Sequence, residues 1–394
     1  MELNYLNKSF SIFEKEIKEK GKILNGIISQ SSFLVLGGAG SIGQEVVKLI
    51  FKNNPKKIHV VDNSENNLVE LVRDIRSSYG YIDGDFSVYA LDISSNQYDK
   101  FISNDGKYDY VLNLSALKHV RSEKDPYTLM RLIETNIFNV EKTIQHSISK
   151  GTKKYFSVST DKAANPANIM GASKRIMELF MFKYSNKITV SSARFANVLF
   201  SDGSLLFSFN QRLLKNQPIV APSDIKRYFI SKEEAAELCI MAAIFGENRD
   251  IFFPKLNPDQ DLKTFKELAI SFLKAKGYSV LECSSEKEAR LKAKNRTSLN
   301  QWPCYFSESE TTGEKPFEEF YSKKEKINLV KFENIGIIVN ERLKDFSKIK
   351  IFKKLYGGYN EKLIWERAHI IDFFKKTLEE FNHIEKKKFL DEKM

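Results

Sequence analysis

The sequence predicts an α/β fold built on a doubly wound parallel sheet, on three observations. Short apolar runs alternate with segments of helical periodicity. A glycine-rich turn joins the first run to a helix. Several runs also end in an acidic or polar residue, the end at which open α/β sheets carry their ligands. Phe33-Leu34-Val35-Leu36 is the first strand, closed by Gly37-Gly38-Ala39-Gly40-Ser41-Ile42-Gly43, and helical spacing follows from Glu45 to Ile50. Lys57 to Val61 reads as the second strand and ends in Asp62, followed by a polar helix from Glu65 to Ser77. Phe86 to Leu91 is a third, ending in Asp92, and Tyr108 to Leu114 a fourth. A long helix is expected from Glu134 to Ser149, a fifth strand from Lys154 to Ser159, a helix from Gly171, and a sixth strand from Thr189 to Phe195.

Beyond Asn197 the alternation weakens, although Ser231-Lys232-Glu233-Glu234 is a capped helix start. The expected organisation is a helical extension over 1–30, a dinucleotide-binding domain over 31–197, a smaller α/β lobe over 198–330 sharing elements with the sheet, and a lysine-rich helical extension over 331–394. The composition, 42% hydrophobic, 29% charged and 12% aromatic over 394 residues, excludes general disorder and low complexity. The longest apolar stretch, Leu238 to Phe245, is half a membrane span, so no transmembrane helix is expected. Met1-Glu2-Leu3-Asn4 lacks the basic flank and apolar block of a secretory signal, and a cytoplasmic location is expected. Cys239, Cys283 and Cys304 form no pair or ligand spacing, so neither a disulfide framework nor a metal site is expected. The net charge of +11 is spread through lysines interleaved with glutamates, as over Glu14 to Lys20. Its densest run, Lys386-Lys387-Lys388, lies near the end of the chain. No nucleic-acid partner is expected, and a small anionic substrate also gains from a positive field.

Gly37, Gly40 and Gly43 sit where a Rossmann-type turn needs small residues: for the turn, for close approach to a pyrophosphate, and for helix packing. The helix amides at Ser41 and Ile42 then face the phosphates. Asp62 stands nineteen residues after Gly43 at the end of the second strand, where a carboxylate accepts hydrogen bonds from the adenosine ribose. Asn63, Ser64 and Asn67 line the same corner and supply no Arg for a 2′-phosphate, which favours NAD over NADP. Asp92 and Ile93 close the third strand near the expected adenine, a surface or capping role for Asp92 being equally open. Thr160-Asp161-Lys162 follows the fifth strand and precedes Met170-Gly171-Ala172-Ser173-Lys174. On composition alone the triplet reads equally well as a turn and cap.

Six blocks change that balance. The glycine turn is followed by Ser115-Ala116-Leu117-Lys118-His119-Val120, Ser159-Thr160-Asp161-Lys162-Ala163-Ala164-Asn165-Pro166, Met170-Gly171-Ala172-Ser173-Lys174-Arg175, Ala193-Arg194-Phe195-Ala196-Asn197-Val198-Leu199 and Thr312-Gly313-Glu314-Lys315. In this order, over roughly residues 30 to 320, they resemble the extended short-chain dehydrogenase/reductases. Within these the chain is similar to the polysaccharide-biosynthesis branch of nucleotide-sugar 4,6-dehydratases acting on UDP-N-acetylglucosamine.

The resemblance implies an NAD-dependent lyase that oxidises C4 of the sugar, eliminates water across C5 and C6, and returns the hydride to C6. It implies Asp161 as the acid for the C6 hydroxyl, Lys162 as the base for the C5 proton, and Thr160 as a partner of the C4 hydroxyl. A neutral Lys162, favoured by a neighbouring Lys174 or by desolvation, is required for that role. Most of the superfamily has tyrosine four residues before the lysine, but here that position is Met170, which has no proton to exchange. A subset of the dehydratase branch shares the methionine, and Asp161 then serves as base at the C4 hydroxyl before acting as acid. Lys174 keeps the nicotinamide ribose. Ser115, Ala116 and Lys118 border the cofactor; Lys118, His119, Asn197, Arg227 and Glu314 are expected at the nucleotide sugar. Two departures stand out: the family usually has glycine where Phe200 stands and a basic residue where Asp202 stands. A nucleotide-sugar epimerase, a GDP-linked substrate and an inactive NAD-binding homologue are the alternatives. A homo-oligomer is expected, with the helical terminal segments as candidate interfaces.

Overall fold

The computed structural model describes residues 5–6, 8–295, 300–309, 312–313 and 315–385. Its main sheet contains β1 (Ser32–Leu36), β2 (Lys57–Asp62), β3 (Asp85–Ala90), β4 (Tyr110–Asn113), β5 (Lys154–Thr160), β6 (Thr189–Phe195), β10 (Asp250–Pro254), β14 (Ile327–Asn328) and β15 (Ile335–Ile338). The order is β14-β15-β10-β6-β5-β4-β1-β2-β3. β1 to β6 and β10 run parallel, whereas β15 is antiparallel to β10 and β14 antiparallel to β15. Runs such as Phe33-Leu34-Val35-Leu36 are buried along their whole length, which is why they read as continuous apolar stretches rather than alternating ones. The fold is the expected doubly wound α/β class.

Around this sheet are α1 (Glu14–Ser29), α2 (Ser41–Phe51), α3 (Glu65–Tyr79), α4 (Asn96–Asp105), α5 (Pro126–Ile133), α6 (Asn139–Ser149), α7 (Ile169–Lys183) and α9 (Lys232–Phe245). The apolar run Leu238 to Phe245 belongs to α9, a buried helix packed against α2, β5, β6 and β10. It opens on the expected capping box, Ser231 with Glu234. Where one helix is expected from Glu134, the chain is already helical at Pro126. Asp125 caps it by accepting from Thr128 N at 2.8 Å, and a π turn over Glu134–Phe138 leads into α6. The Asp-Pro start is a helix signal that the apolar pattern alone does not reveal.

Two three-stranded sheets lie beyond the main one. β7 (Asn197–Val198), β9 (Lys226–Ile230) and β11 (Leu262–Thr264) form the first; β8 (Ile219–Pro222), β12 (Ser279–Cys283) and β13 (Gln301–Ser307) form the second. With α8 (Leu205–Leu214), α10 (Pro258–Asp261), α11 (Phe265–Ala275) and α12 (Glu286–Lys294) they complete this region. It has its own apolar cluster, including Leu199, Phe209, Phe229, Phe272 and Trp302. β14 and β15 straddle residue 330, and the main sheet takes both. α13 (Ser347–Asn360) and α14 (Arg367–Thr377) pack on α5 and α7 through Ile133, Phe180, Phe352 and Phe374. The three cysteines are free and buried. No helix among the described residues is long and apolar enough to cross a membrane.

Candidate functional site

Because β1 to β6 are parallel, the turns after Leu36, Asp62, Asn113, Thr160 and Phe195 open at one edge of the sheet. Gly37 has φ +70°, and a Cβ there would lie 2.7 Å from Ser115 N. At Gly43 a Cβ would lie 2.3 Å from the Gly37 carbonyl, so the turn and the first helical turn fold against each other only with glycine. Gly40 is the N-cap of α2 and no side chain caps that end, leaving it to accept an anion. Asp62 Oδ2 accepts from Ala39 N at 3.0 Å and Oδ1 from Ser64 N at 2.9 Å, which holds its carboxylate beside the glycine turn. A turn closed to a Cβ at Gly37 and Gly43, an uncapped helix end and a fixed carboxylate fit a dinucleotide.

The neighbouring residues take these places. Ser64 caps α3 through Asn67 N, and Asn63 and Asn67 are exposed. Asp92 is exposed and its Oδ1 accepts from Ser94 N and Oγ at 2.8 and 2.7 Å, while Ile93 is buried. Ser115 N donates to Asn113 Oδ1 at 3.0 Å, against the Gly37 turn, with Ala116 next to it. Asn136, in the π turn, joins the Leu117 backbone at 2.9 Å and Ser173 Oγ at 3.0 Å, tying the loop that carries Lys118 to α7. Lys118 is exposed with Asp202 close enough to act on it electrostatically.

Asp161 is 1% exposed, at the start of the single turn that follows β5. Its Oδ1 accepts from Thr160 Oγ1 at 2.7 Å, Lys162 N at 2.9 Å and Lys162 Nζ at 3.0 Å. Lys162 Nζ also lies 3.5 Å from Asn197 Oδ1, which brings the first residue of β7 to the triplet. Met170 is buried in an apolar cluster with Leu129 and Ile133. Lys174 is buried too; its Nζ donates to Val158 O at 3.0 Å, and burial, opposed by the Glu178 carboxylate, pushes its pKa down to about 7. Gly171 allows the first turn of α7 to approach the triplet, since a Cβ there would lie 2.4 Å from Lys162 O.

A buried ion network supports this arrangement from below. Glu178 on α7 accepts from Ser159 Oγ at 2.7 Å, from Arg194 Nε and Nη2 at 2.8 and 2.7 Å, and from Arg175 Nη1 at 3.0 Å. Arg194 on β6, fully buried, also reaches Glu325 and the Phe320 carbonyl. Arg194 lies within the Ala193–Leu199 block without a motif that marks its role, and Glu178 carries no motif of its own.

The loop after β7 closes on the glycine turn. Asp202 N donates to Ser41 Oγ at 2.8 Å, and a Cβ at Gly203 (φ +69°) would lie 2.7 Å from His119 Nε2. Arg227 is buried and its Nη1 donates to the carbonyls of Lys226, Lys315 and Pro316 at 2.8, 2.9 and 3.2 Å. Glu314 lies outside the described residues, as does the lysine run 386–388. No cluster of metal-ligating side chains occurs among the described residues.

Residues 33–340 match the polysaccharide biosynthesis protein family. The chain belongs to that family. It is 29% identical to an uncharacterized membrane protein of Methanocaldococcus jannaschii over 80% of this chain and 87% of that protein. It is 26% identical to the capsular polysaccharide biosynthesis protein CapD of Staphylococcus aureus, matching 83% of this chain but 53% of CapD, so it spans about half of that relative. An inverting UDP-N-acetylglucosamine 4,6-dehydratase of Campylobacter jejuni is 28% identical over 57% of this chain and 67% of that enzyme. Among solved structures, Pen from Bacillus thuringiensis superposes with a TM-score of 0.64 at 23% identity, covering 80% of this chain and 91% of Pen. A UDP-N-acetylglucosamine 4-epimerase from Methanobrevibacter ruminantium gives 0.56 at 16% identity, covering 89% and 100%. These two likenesses establish the shared fold.

Proposed function

We propose that the chain is an NAD-dependent nucleotide-sugar 4,6-dehydratase that converts UDP-N-acetylglucosamine to its 4-keto-6-deoxy product. The observation that carries this reading is the buried Asp161 paired with Lys162 beside Thr160 and Asn197, on the sheet edge that also holds the Gly37–Gly43 cradle and Asp62. An acid and a base side by side suit elimination, which moves one proton off carbon and another onto a leaving oxygen. The similarity to the Campylobacter dehydratase supports the same chemistry.

NAD, when bound, supplies the acceptor that takes the C4 hydride and gives it back at C6. The chain's residues handle the rest. Thr160 orients the C4 hydroxyl and Asp161 takes its proton, work that Met170 cannot do. Lys162 then removes the C5 proton, which the 4-keto group has made acidic, and Asp161 returns its proton to the departing C6 hydroxyl, releasing water. After hydride return to C6, Lys162 gives its proton back to C5. Both side chains end as they began. Lys174 holds the nicotinamide ribose, Asp62 the adenosine ribose, and the Gly37–Gly43 turn with Ser41 and Ile42 the pyrophosphate. Lys118, His119, Asn197 and Arg227 border the nucleotide sugar, and the reaction belongs in the cytoplasm.

Asp161→Asn and Lys162→Ala test the assignment. Each is expected to fold, to retain NAD, and to lose about 100-fold or more in turnover, the usual reach of a positioned acid or base. Wild-type rates in both variants remove the pair from the mechanism.

A further inference from the structure

The turn that joins the triplet to α7 is held from a direction the chain order does not suggest. Glu123 is fully buried, and its Oε1 accepts from Ile169 N at 2.6 Å and, more weakly, from Met170 N at 3.4 Å. Its Oε2 faces His383 Nε2 at 3.1 Å, an imidazole whose side chain is 3% exposed. The Glu123 carbonyl accepts from Arg367 Nε at 2.6 Å, and Arg367 Nη1 in turn pairs with Glu385 at 2.6 Å. The segment carrying His383 lies along residues 166–168: Asn382 N donates to Pro166 O at 3.1 Å and Ile384 N to Ala167 O at 3.0 Å. Its other edge is held as well, since Gly313 N donates to Ile384 O at 2.9 Å and Asn168 Nδ2 to Gly313 O at 2.9 Å.

α7 already has an ordinary cap, Asn168 Oδ1 accepting from Gly171 N at 2.8 Å. A second, fully buried carboxylate on the same turn carries a desolvation cost that simple capping does not require. It does fix the position of the first helical turn against residues 382–385. Through Gly171, whose Cα packs on the Lys162 carbonyl, that turn sets where the triplet sits.

We infer that Glu123 and His383 are positioning residues for the catalytic turn, and that the 382–385 segment is the clamp that holds residues 160–170 in working geometry. The inference rests on the dehydratase reading for its catalytic consequence, but the clamp itself can be measured without any substrate.

The test compares His383→Ala with His383→Gln, which keeps a side-chain N–H for Glu123, by amide hydrogen exchange of the full-length protein and by kinetics with UDP-N-acetylglucosamine. In His383→Ala, exchange over residues 163–172 is expected to rise about 10-fold or more, while β1 and β2 and the NAD content stay as in wild type. kcat falls about 10-fold or more with KM within about 3-fold, and His383→Gln recovers most of both effects. Glu123→Gln, which keeps the acceptor but not the charge, gives an intermediate rise in exchange, and it decides the matter if His383→Ala does not fold. Unchanged exchange over 163–172 overturns the proposal, as does a loss spread evenly over the molecule that His383→Gln does not repair. If wild-type protein turns over no nucleotide sugar, the dehydratase reading fails while the exchange data still decide the clamp.

Discussion

Phe200 stands in the left-handed region at φ +49°, where a residue with a Cβ is strained by about 1 kcal/mol. The resemblance implies glycine at this position, and the backbone keeps the shape that glycine would favour. The ring offsets the strain by packing on Tyr5 and Phe272, with centroids 5.1 and 6.0 Å away. Phe200→Gly should therefore relieve the backbone but lose the larger packing contribution, a net destabilisation of about 2–3 kcal/mol in urea unfolding. At Gly43 no side chain is tolerated, and Gly43→Ala is expected to yield protein that purifies without NAD, seen as a lost absorbance from released nucleotide. Lys174 adds a pH dependence. Its pKa is near 7 when folded against 10.5 for the free side chain, so between these values the unfolded chain binds a proton that the native state does not. Native stability contributed by this group is therefore lowest below pH 7 and rises as pH increases through the window. NAD-free Lys174→Met should be more stable than wild type at pH 6 by about 2–4 kcal/mol, with the gap closing toward pH 10. A gap independent of pH would show that Lys174 is not desolvated.

Among the elements, strands and turns that follow local rules were legible in the sequence: β1 as an unbroken apolar run, β2 and β5 as largely apolar ones, the glycine turn, and the Ser231 capping box. The elements that brace the site were not, because their partners are remote. Glu178, Arg194 and Glu325 come from a helix, a strand and a segment more than a hundred residues later, and no periodicity announces such a triad. Glu123 meets His383 across 260 positions, and Asn136 becomes a tether only because the π turn points it at Leu117 and Ser173. The Glu178–Arg194 pair has no exposed surface on either side chain, so removing one partner leaves an uncompensated buried charge. Arg194→Met should cost about 3–5 kcal/mol in chemical unfolding. A loss below about 1 kcal/mol would mean that water reaches the network and screens it.

The whole molecule joins these pieces at one edge of a parallel sheet. Topology alone brings Gly37, Asp62, Ser115, Asp161 and Asn197 together, which explains why motif order in the sequence anticipated a common site. Residues 250–254 and 335–338 extend the same sheet past β6, and 382–385 returns to residues 166–167 between the triplet and α7, so the later chain contributes to the candidate site as well as flanking it. The excess positive charge, spread rather than clustered, suits an anionic nucleotide sugar without requiring a polyanion. Everything at this edge converges on the elimination proposed for Asp161 and Lys162. Mass spectrometry of purified wild-type protein incubated with UDP-N-acetylglucosamine in deuterated water, with GDP-N-acetylglucosamine in parallel, decides whether it occurs. Elimination by this pair gives loss of one water from the UDP sugar without added cofactor, together with uptake of solvent deuterium at C5. Deuterium uptake without loss of water would identify an epimerase, and an unchanged substrate with NAD still bound would contradict the assignment of this pair to catalysis.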